Sequence, residues 1–382
     1  MKKTGQFLFI EKESDLETVT GKLEAEKFIA ADVEADSMFS FREKVCLVQI
    51  ASEKYNFVID TVKIRDLSLL KPIFLNQKIQ KVFHGADFDV RSLFRDFGIG
   101  INSLFDTELA SRFLGVRETG LDSVLKNKFG IKMDKRFQKK DWSQRPLPEE
   151  MIEYAANDVI YLLPLADILT NELKKEGRLS WAQEECEALS KVRPASVSFN
   201  DPLFIKFKGA GRLDPYTLAV LEELLQYRLK IAEKKDLPPF KVMSNSVLVK
   251  LAKEKPGNNT EIEDSKILSK KQIDMHGRSV VQAVRKAAKL PETKRPRYPR
   301  RRAPVLKPSV HERLKVLKEW RNTVAERLLI DPGLFLNKTM LTAIATQQPA
   351  DVDGLKNISG LKNWQRLQFG EEIVNVLKNV HL

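Results

Sequence analysis

The chain has 382 residues, of which 42% are hydrophobic and 31% charged, so it is long enough for two or three domains with packed cores. This composition excludes a wholly disordered protein, and the presence of only two cysteines, Cys46 and Cys186, excludes a disulfide framework. No apolar stretch approaches the roughly 18 residues that a transmembrane helix requires, and the apolar run in the opening MKKTGQFLFI is too short for a signal peptide. We therefore predict a cytoplasmic protein with no membrane partner.

The two halves of the chain differ in charge. Residues 1–190 carry a net charge of −4, and residues 191–382 carry a net charge of +17. Carboxylates can gather metal cations, whereas lysine and arginine can replace the counterions around a phosphate backbone. Basic faces are also common on proteins that bind no nucleic acid. Charge alone therefore leaves a nucleic-acid partner and a merely solvated surface equally open.

Short apolar, β-branched runs in the first half predict strands, because such runs fit a sheet that is buried on at least one face. From about residue 106 the apolar spacing becomes helical, and it predicts one long helix from roughly Pro148 to Leu173. Strands followed by helices predict a single sheet-centred α/β domain over residues 1–190. The predicted strands are Phe28–Ala31 leading into Asp32-Val33-Glu34, Val45–Ile50, Phe57–Asp60 and Lys81–His84.

The second half contains an internal repeat of helical character. Shifting residues 221–256 by 93 positions gives nine identities in 36 ungapped positions. We therefore predict two small all-α helical-bundle domains, at residues 208–290 and 308–382. Proline excludes helix and sheet from the segment between them, so residues 291–307 are predicted to form an extended basic linker, either a solvated connector or a strap that contacts phosphates. Its basic residues are Lys294, Arg295, Arg297, Arg300, Arg301 and Arg302.

Two acids close the first predicted strand. Asp32 and Glu34 are two residues apart, so their side chains project to the same side of that strand. Two anions at the end of a buried strand are costly unless a cation compensates them. These two residues alone also fit an acidic strand end that faces water or pairs with a lysine.

Further acids occur at a strand-to-helix turn and on the long helix. Tyr154 and Asp158 are four residues apart, so they share one helix face. In the turn after the strand Lys81–His84, Asp87 is predicted to cap the next helix, and Asp89 is left free to point at the strand ends. Asp106 is likewise predicted to be an N-cap.

Four carboxylates from a strand, a turn and a helix are the ligand set that a two-metal phosphoryl-transfer site requires. Mg²⁺ and Mn²⁺ prefer oxygen ligands, and two such ions can activate a water and stabilise the leaving oxygen of a phosphodiester. Tyr154 could hydrogen-bond the attacking water and orient it, although an ordinary tyrosine is a poor base at neutral pH. The order D-x-E, turn Asp and Y-x-x-x-D therefore predicts a metal-dependent nuclease site.

In these motifs the sequence resembles ribonuclease D, of the DEDD superfamily of 3′-5′ exonucleases. Tyr154, four residues before the last acid, is typical of the tyrosine subfamily. Residues 211–256 resemble the helicase-and-RNase-D C-terminal (HRDC) domain, and the second repeat is a more divergent copy. The three nuclease motifs are Asp32-Val-Glu34 with Val45-Cys-Leu-Val-Gln49, Lys81-Val-Phe-His84-Gly-Ala-Asp-Phe-Asp89, and Asp141-Trp142 followed by Tyr154-Ala-Ala-Asn-Asp158.

The resemblance implies a ribonuclease H-like nuclease domain, with a mixed sheet flanked by helices, followed by two HRDC domains. It implies a 3′-5′ exoribonuclease that releases 5′-mononucleotides, acts as a monomer and trims the single-stranded 3′ ends of tRNA precursors. A DNA-directed exonuclease and a non-catalytic RNA-binding scaffold remain alternatives. The implied ligands of two Mg²⁺ or Mn²⁺ ions are Asp32, Glu34, Asp89 and Asp158, with Tyr154 as a further catalytic group.

Contacts to the RNA are predicted around these motifs. Met38 and Phe39 could stack on the last base, as apolar and aromatic groups do with single strands, and core packing is equally open. His84 could touch the terminal ribose or simply satisfy a backbone carbonyl. The basic run before the third motif predicts phosphate contacts from Lys135, Arg136 and Lys139.

Overall fold

The computed structural model describes residues 7–194, 201–299 and 306–380. Its contacts divide the chain into two compact units. The predicted linker residues Arg300, Arg301 and Arg302 lie outside the described residues. The first unit comprises residues 1–35, 45–194 and 305–382, and the second comprises residues 36–44 and 195–304.

The first unit is built on a six-stranded sheet with the order β1-β4-β3-β2-β5-β6. Two pairs of neighbouring strands, β2 with β3 and β3 with β4, are antiparallel, and the other pairs are parallel. The predicted mixed sheet is therefore confirmed. The strands are β1 (Leu8–Ile10), β2 (Phe28–Ala35), β3 (Val45–Ala51), β4 (Asn56–Asp60), β5 (Gln80–Phe83) and β6 (Leu104–Asp106).

Helices flank this sheet, and one prediction about them is wrong. The predicted long helix is two helices that break at Tyr161. Pro164 causes the break, because it has no N–H for the carbonyl of Ile160 and its ring crowds the preceding turn. The helices are α1 (Leu16–Leu23), α2 (Lys71–Leu75), α3 (Asp87–Phe97), α4 (Thr107–Phe113), α5 (Leu121–Phe129), α6 (Glu149–Ile160), α7 (Leu162–Lys175) and α8 (Leu179–Ser190).

The two faces of the sheet are buried in different cores, because side chains alternate along each strand. On one face, Ala31 and Val33 of β2 pack with the α3 side of the unit. On the other face, Ala30 packs in the core that includes α7. Leu47 and Val58, on that same second face, pack against the helix α6. The even-numbered residues of β2 therefore face α6 and α7.

The C-terminal helices belong to the first unit and share its core. Trp181 of α8 stacks on Trp364, with ring centroids 4.7 Å apart, and Phe113 of α4 meets Trp364 edge-on at 5.5 Å. The Glu184 carboxylate accepts the backbone N–H groups of Asn363 and Trp364 at 2.8 and 2.9 Å, at the start of the last helix. These helices are α14 (Pro308–Leu328), α15 (Pro332–Phe335), α16 (Lys338–Gln347) and α17 (Asn363–Lys378).

The second unit is helical, with an apolar core that includes Leu221, Leu248 and Val280. The long first helix begins at the side-chain cap Asp214 and ends at Asp236, whose left-handed backbone terminates it. Its helices are α9 (Pro215–Lys235), α10 (Pro239–Val242), α11 (Asn245–Glu254), α12 (Asn259–Asp264) and α13 (Lys270–Ala288). Within the described residues, no helix has the length and apolarity that crossing a membrane demands.

Candidate metal centre

Two of the predicted ligands stand on β2. Asp32 and Glu34 alternate with buried Val33, so both side chains lie on the face that α6 and α7 cover. Burial raises the pKa of Asp32 to about 6. Burial also raises the pKa of Glu34 well above its usual value, and the negative charges of Asp32, Asp158 and Asp89 raise it further. The two carboxyls are therefore largely shielded from solvent and surrounded by other carboxyl groups.

Asp89 lies in the first turn of α3 and is only 5% exposed. Burial, followed by the charge of Asp32, raises its pKa well above the usual range. The predicted capping role of Asp87 is wrong, because Asp87 is the first helical residue and its carboxylate pairs with Arg91 at 2.9 Å. Asp89 is thus positioned by its helix without a cap from its neighbour.

The turn before α3 is held instead by Asp106. Its carboxylate accepts the N–H groups of Gly85 and Ala86 at 3.0 and 2.8 Å. The same carboxylate caps α4 by accepting the N–H groups of Glu108 and Leu109, so the predicted N-cap is confirmed. One side chain therefore fixes both the start of α4 and the turn that leads to the second motif.

The helix α6 supplies Tyr154 and Asp158. Burial and the charge of Asp32 raise the pKa of Asp158 to about 8, while a hydrogen bond from the Tyr154 hydroxyl lowers it. Burial raises the pKa of Tyr154 far above its ordinary value, with a further rise from the negative charges of Asp158, Glu34 and Asp32. Tyr154 is therefore a neutral hydrogen-bond donor at neutral pH.

The structure brings three of the four acids into direct proximity. One ligand oxygen from each of Asp32, Glu34 and Asp158 lies within 4.8 Å of the other two. Asp89 is not in this group, although its charge and those of Asp32 and Glu34 act on one another. Among the described residues, no lysine or arginine contributes to lowering any of these four pKa values. Oxygen donors without a compensating cation fit a hard divalent ion.

A cavity of 440 Å³ opens over this acidic cluster. Its lining includes residues that the sequence analysis did not single out. One of them, Glu108, accepts a hydrogen bond from the Thr119 hydroxyl at 3.0 Å. Asp89 does not line this cavity. The lining includes Asp32, Glu34, His84, Glu108, Asp122, Lys135, Gln138, Tyr154 and Asp158.

Tyr154 is held by an aromatic frame from the preceding loop. Its ring lies 5.8 Å from that of Phe137 and 6.0 Å from that of Trp142. Arg145 anchors this loop, because its guanidinium forms two hydrogen bonds of 2.6 Å to the fully buried Asp60 of β4. A bidentate buried pair of this kind fixes both position and orientation.

Comparison with known proteins agrees with this site. Residues 7–174 match the 3′-5′ exonuclease family, and residues 217–284 and 310–377 each match the HRDC domain. The two HRDC matches are offset by 93 residues, the same shift as the internal repeat. Ribonuclease D of Haemophilus influenzae is 26% identical over 92% of this chain and 87% of its own length. The chain belongs to the ribonuclease D family.

Other members and neighbours extend this placement. The crystal structure of Escherichia coli RNase D, described as an exoribonuclease involved in structured RNA processing, is 26% identical, with a TM-score of 0.70 over 99% of this chain and 100% of that chain. Protein RRP6-like 2 of Arabidopsis thaliana is 31% identical over 74% of this chain, which spans 34% of that relative's length. The predicted family and fold class are confirmed.

The other residues that were predicted to contact RNA lie in different places. His84 lines the acidic cavity, and its Nδ1 lies 2.9 Å from the Thr107 hydroxyl. Lys135 lines the same cavity and pairs with Asp122 at 2.7 Å. Arg136 lines an adjoining cavity of 410 Å³ that also borders Tyr154 and Asp158. Their contacts with RNA stay predictions.

Three more suggested residues are not part of these cavities. Lys139 is exposed and lines neither cavity. Met38 is 51% exposed and belongs to the second unit. Phe39 belongs there too, and the Lys241 ammonium lies 4.1 Å from its ring centroid. A base-stacking role for Met38 and Phe39 stays a prediction.

Proposed function

We propose that this protein is a divalent-metal-dependent 3′-5′ exoribonuclease that releases 5′-mononucleotides from RNA. The observation that carries the proposal is the cluster of Asp32, Glu34 and Asp158, whose oxygens lie within 4.8 Å of one another without a compensating lysine or arginine among the described residues. Buried anions so close together are costly in the absence of a cation. Membership of the ribonuclease D family supports phosphodiester hydrolysis at a 3′ end.

The four acids have one shared role in this proposal. Asp32, Glu34, Asp89 and Asp158 hold two Mg²⁺ or Mn²⁺ ions through carboxylate oxygens. Such ions supply the Lewis acidity that activates water for attack on phosphorus and stabilises charge on the departing 3′ oxygen. The carboxylates also fix where the terminal phosphodiester can lie, because each of them projects from a strand or a helix and none from a loop.

Tyr154 orients the attacking water in this proposal. Its raised pKa keeps the hydroxyl protonated, so it acts as a hydrogen-bond donor and acceptor and not as a base. Phe137 and Trp142 fix the ring, which limits the positions that the hydroxyl can reach. Position, not proton abstraction, is what Tyr154 contributes.

The RNA partner follows from the basic part of the chain and from its HRDC domains. Lysines and arginines in residues 191–382, with a net charge of +17, would neutralise phosphates of the RNA body. In the nuclease part, Lys135, Arg136 and Lys139 would contact backbone phosphates, His84 the terminal ribose, and Met38 and Phe39 the last base. We propose tRNA precursors with single-stranded 3′ ends as substrates, and a monomer in the cytoplasm as the acting form.

A labelled-RNA assay tests the activity. RNA with a 5′ label and a free 3′ hydroxyl should shorten from the 3′ end in Mg²⁺ or Mn²⁺, and should stay intact in chelator or with a blocked 3′ end. Asp158→Asn should abolish release of mononucleotides and leave RNA binding near normal, whereas Asp167→Asn, at an exposed site on α7, should keep full activity. Retained turnover in Asp158→Asn would refute the metal assignment.

Substrate class is tested in the same format. DNA of identical sequence should be degraded much more slowly than RNA, and equal rates would favour a general exonuclease. RNA binding without cleavage in either Mg²⁺ or Mn²⁺ would indicate a non-catalytic RNA-binding scaffold. A tRNA precursor with a 3′ extension should be trimmed to the base-paired stem, and one with a fully paired 3′ end should resist.

A further inference from the structure

Gln49 is a buried polar residue that the reaction as described does not use. It is 0% exposed, and neither its Nε2 nor its Oε1 atom has a hydrogen-bond partner. It lies directly opposite Asp32 in the antiparallel pairing of β2 with β3. Leu47 and Ala51, its neighbours two residues away on β3, pack in the cores on the face that α6 and α7 cover. Gln49 therefore lies beside Asp32 on that face.

A glutamine is a costly choice for this position if it only fills space. A buried carboxamide without hydrogen bonds destabilises the fold through each unsatisfied group, whereas Met or Leu of similar volume incurs no such cost. Cross-strand neighbours have Cβ atoms about 4.5–5.5 Å apart, which places the Asp32 carboxylate within reach of the Gln49 side chain. A function that needs a carboxamide next to Asp32 would explain the residue.

The unpartnered polar atoms of the molecule concentrate around Gln49. Six buried side-chain N and O atoms lack a partner among the described residues, and four of them belong to Gln49, Asn56 and Trp142. These are two nitrogens and two oxygens, so donors and acceptors are both present. All three residues lie in the layer between the sheet and α6, because Trp142 shares an apolar cluster with Leu47 and α6, and Asn56 contacts that helix.

Asn56 already makes half of a connection to the helix of the active site. Its Nδ2 donates to the carbonyl of Ala156 at 3.0 Å, and Ala156 lies between Tyr154 and Asp158 on α6. Its Oδ1 is buried and unpartnered. Asn56 is two residues from Val58, the β4 residue opposite Gln49, so the two carboxamides are diagonal neighbours. Long side chains at such positions can meet.

We propose that Gln49 is a positioning residue that orients the Asp32 carboxylate for binding a divalent cation. None of the atoms Gln49 Nε2 and Oε1, Asn56 Oδ1 and Trp142 Nε1 has a partner among the described residues. When Asp32 binds a cation, one amide hydrogen of Nε2 would donate to Asp32 and the other to Asn56 Oδ1, while Oε1 would accept from Trp142 Nε1. These hydrogen bonds would connect the α6 backbone at Ala156, through Asn56 and Gln49, to Asp32. The proposal rests on the metal-binding role of Asp32 stated under the proposed function.

Calorimetric titration of the full chain with Mn²⁺, without RNA, tests this role. Gln49→Met keeps the length of the side chain and removes the amide, and it should weaken Mn²⁺ binding about 10- to 100-fold, as loss of a partner behind a metal ligand usually does. Its melting temperature without metal should stay the same or rise, because an unsatisfied buried group is removed. Wild-type Mn²⁺ affinity in this variant would overturn the proposal. Gln49→Leu serves as the second variant if the Gln49→Met protein does not fold.

Gln365 offers a matched control for the same chemical change. It is also buried, but its amide donates to the carbonyl of Phe335 and its Oε1 accepts the N–H of Lys362. Gln365→Met should therefore lower the melting temperature and leave Mn²⁺ affinity unchanged, which is the reverse of Gln49→Met. A fall in Mn²⁺ affinity of similar size in both variants would also overturn the proposal.

Two further variants separate the possible failures. Asn56→Leu should weaken Mn²⁺ binding, and adding it to Gln49→Met should cause no further loss, because both act through one chain of hydrogen bonds. Additive losses would exclude that chain. Asp158→Asn should abolish Mn²⁺ binding, and if it binds as wild type does, the metal site itself is wrong and Gln49 is not the cause.

Discussion

Replacing Asp158 with Asn should stabilise the metal-free protein while abolishing its activity. The pKa of this carboxyl is raised from 3.8 to about 8 in the folded protein, chiefly by burial and then by the charge of Asp32. A raised folded-state pKa means that the folded chain holds the proton more tightly than the unfolded chain. The stability linked to this proton is fully present below about pH 4 and is lost as the pH rises to about 8.

The size of the effect follows from the shift. Each pKa unit corresponds to about 1.4 kcal/mol, so at pH 7 the loss relative to an unperturbed carboxyl is on the order of 4 kcal/mol. The asparagine in the Asp158→Asn variant would not ionise, and its Oδ1 would accept the hydrogen bond from Tyr154 about 1 kcal/mol less favourably than a carboxylate does. Asp158→Asn should therefore raise the free energy of unfolding by about 3 kcal/mol at pH 7.

Urea denaturation in chelator, at pH 5, 7 and 8, measures this. The wild-type protein should be less stable at pH 8 than at pH 5, and the difference should shrink in Asp158→Asn. Asp167→Asn removes the same charge from an exposed site on α7 and should follow the wild type. Saturating Mn²⁺ should stabilise the wild type and not Asp158→Asn. A wild-type stability that does not fall between pH 5 and pH 8 would refute the reasoning.

Three other substitutions have distinct expected outcomes. Tyr154→Phe should lower kcat on labelled RNA about 10²-fold, because the hydroxyl that positions the attacking water is lost. Arg145→Met should destabilise the fold by about 3–5 kcal/mol in urea, because it leaves buried Asp60 without its cation, and Asp60→Asn should restore part of the loss. Trp364→Ala should cost about 3–5 kcal/mol and lower the melting temperature of the nuclease itself, since Trp364 stacks on Trp181.

The two stability variants, Arg145→Met and Trp364→Ala, each have a control in the same chain. Arg65→Met, at an exposed site, should leave stability unchanged, and so should Leu367→Ala on α17, where the side chain is 73% exposed. A Tyr154→Phe enzyme with wild-type kcat would exclude the orienting role. An Arg145→Met protein as stable as its control, or a Trp364→Ala nuclease that melts normally, would contradict the corresponding packing arguments.

The strands that carry the site could be predicted, because each is a run long enough to show its apolar character. Val45–Ala51 is buried at every position, and Asn56–Asp60 nearly so. The strands Leu8–Ile10 and Leu104–Asp106 were not predicted, because three residues are too few for a periodic pattern to appear. The break between α6 and α7 was missed even though Pro164 signals it, because the apolar spacing continues across the break.

The candidate site divides in the same way. Acids with fixed spacing, such as Asp32 with Glu34 and Tyr154 with Asp158, can be read locally, since side-chain direction follows from strand and helix periodicity. Contacts between segments that are distant in the sequence cannot be predicted from local spacing. Asp106 replaces Asp87 at the turn before α3 through a bond that spans 20 residues, and no local pattern signals it. The unsatisfied carboxamide of Gln49 is equally invisible in a sequence, because burial and the lack of partners are properties of the fold.

The aromatic junction of Phe113, Trp181 and Trp364 bears on how the duplicated helical modules have diverged. The later copy now completes the interior of the nuclease, so it cannot be exchanged for the earlier copy or deleted as an independent appendage. A shortened enzyme that ends before residue 306 would expose indole and phenyl rings to solvent and would be prone to aggregation. Anyone who wishes to build a minimal nuclease from this scaffold must replace that patch with polar side chains or keep the whole C-terminal segment.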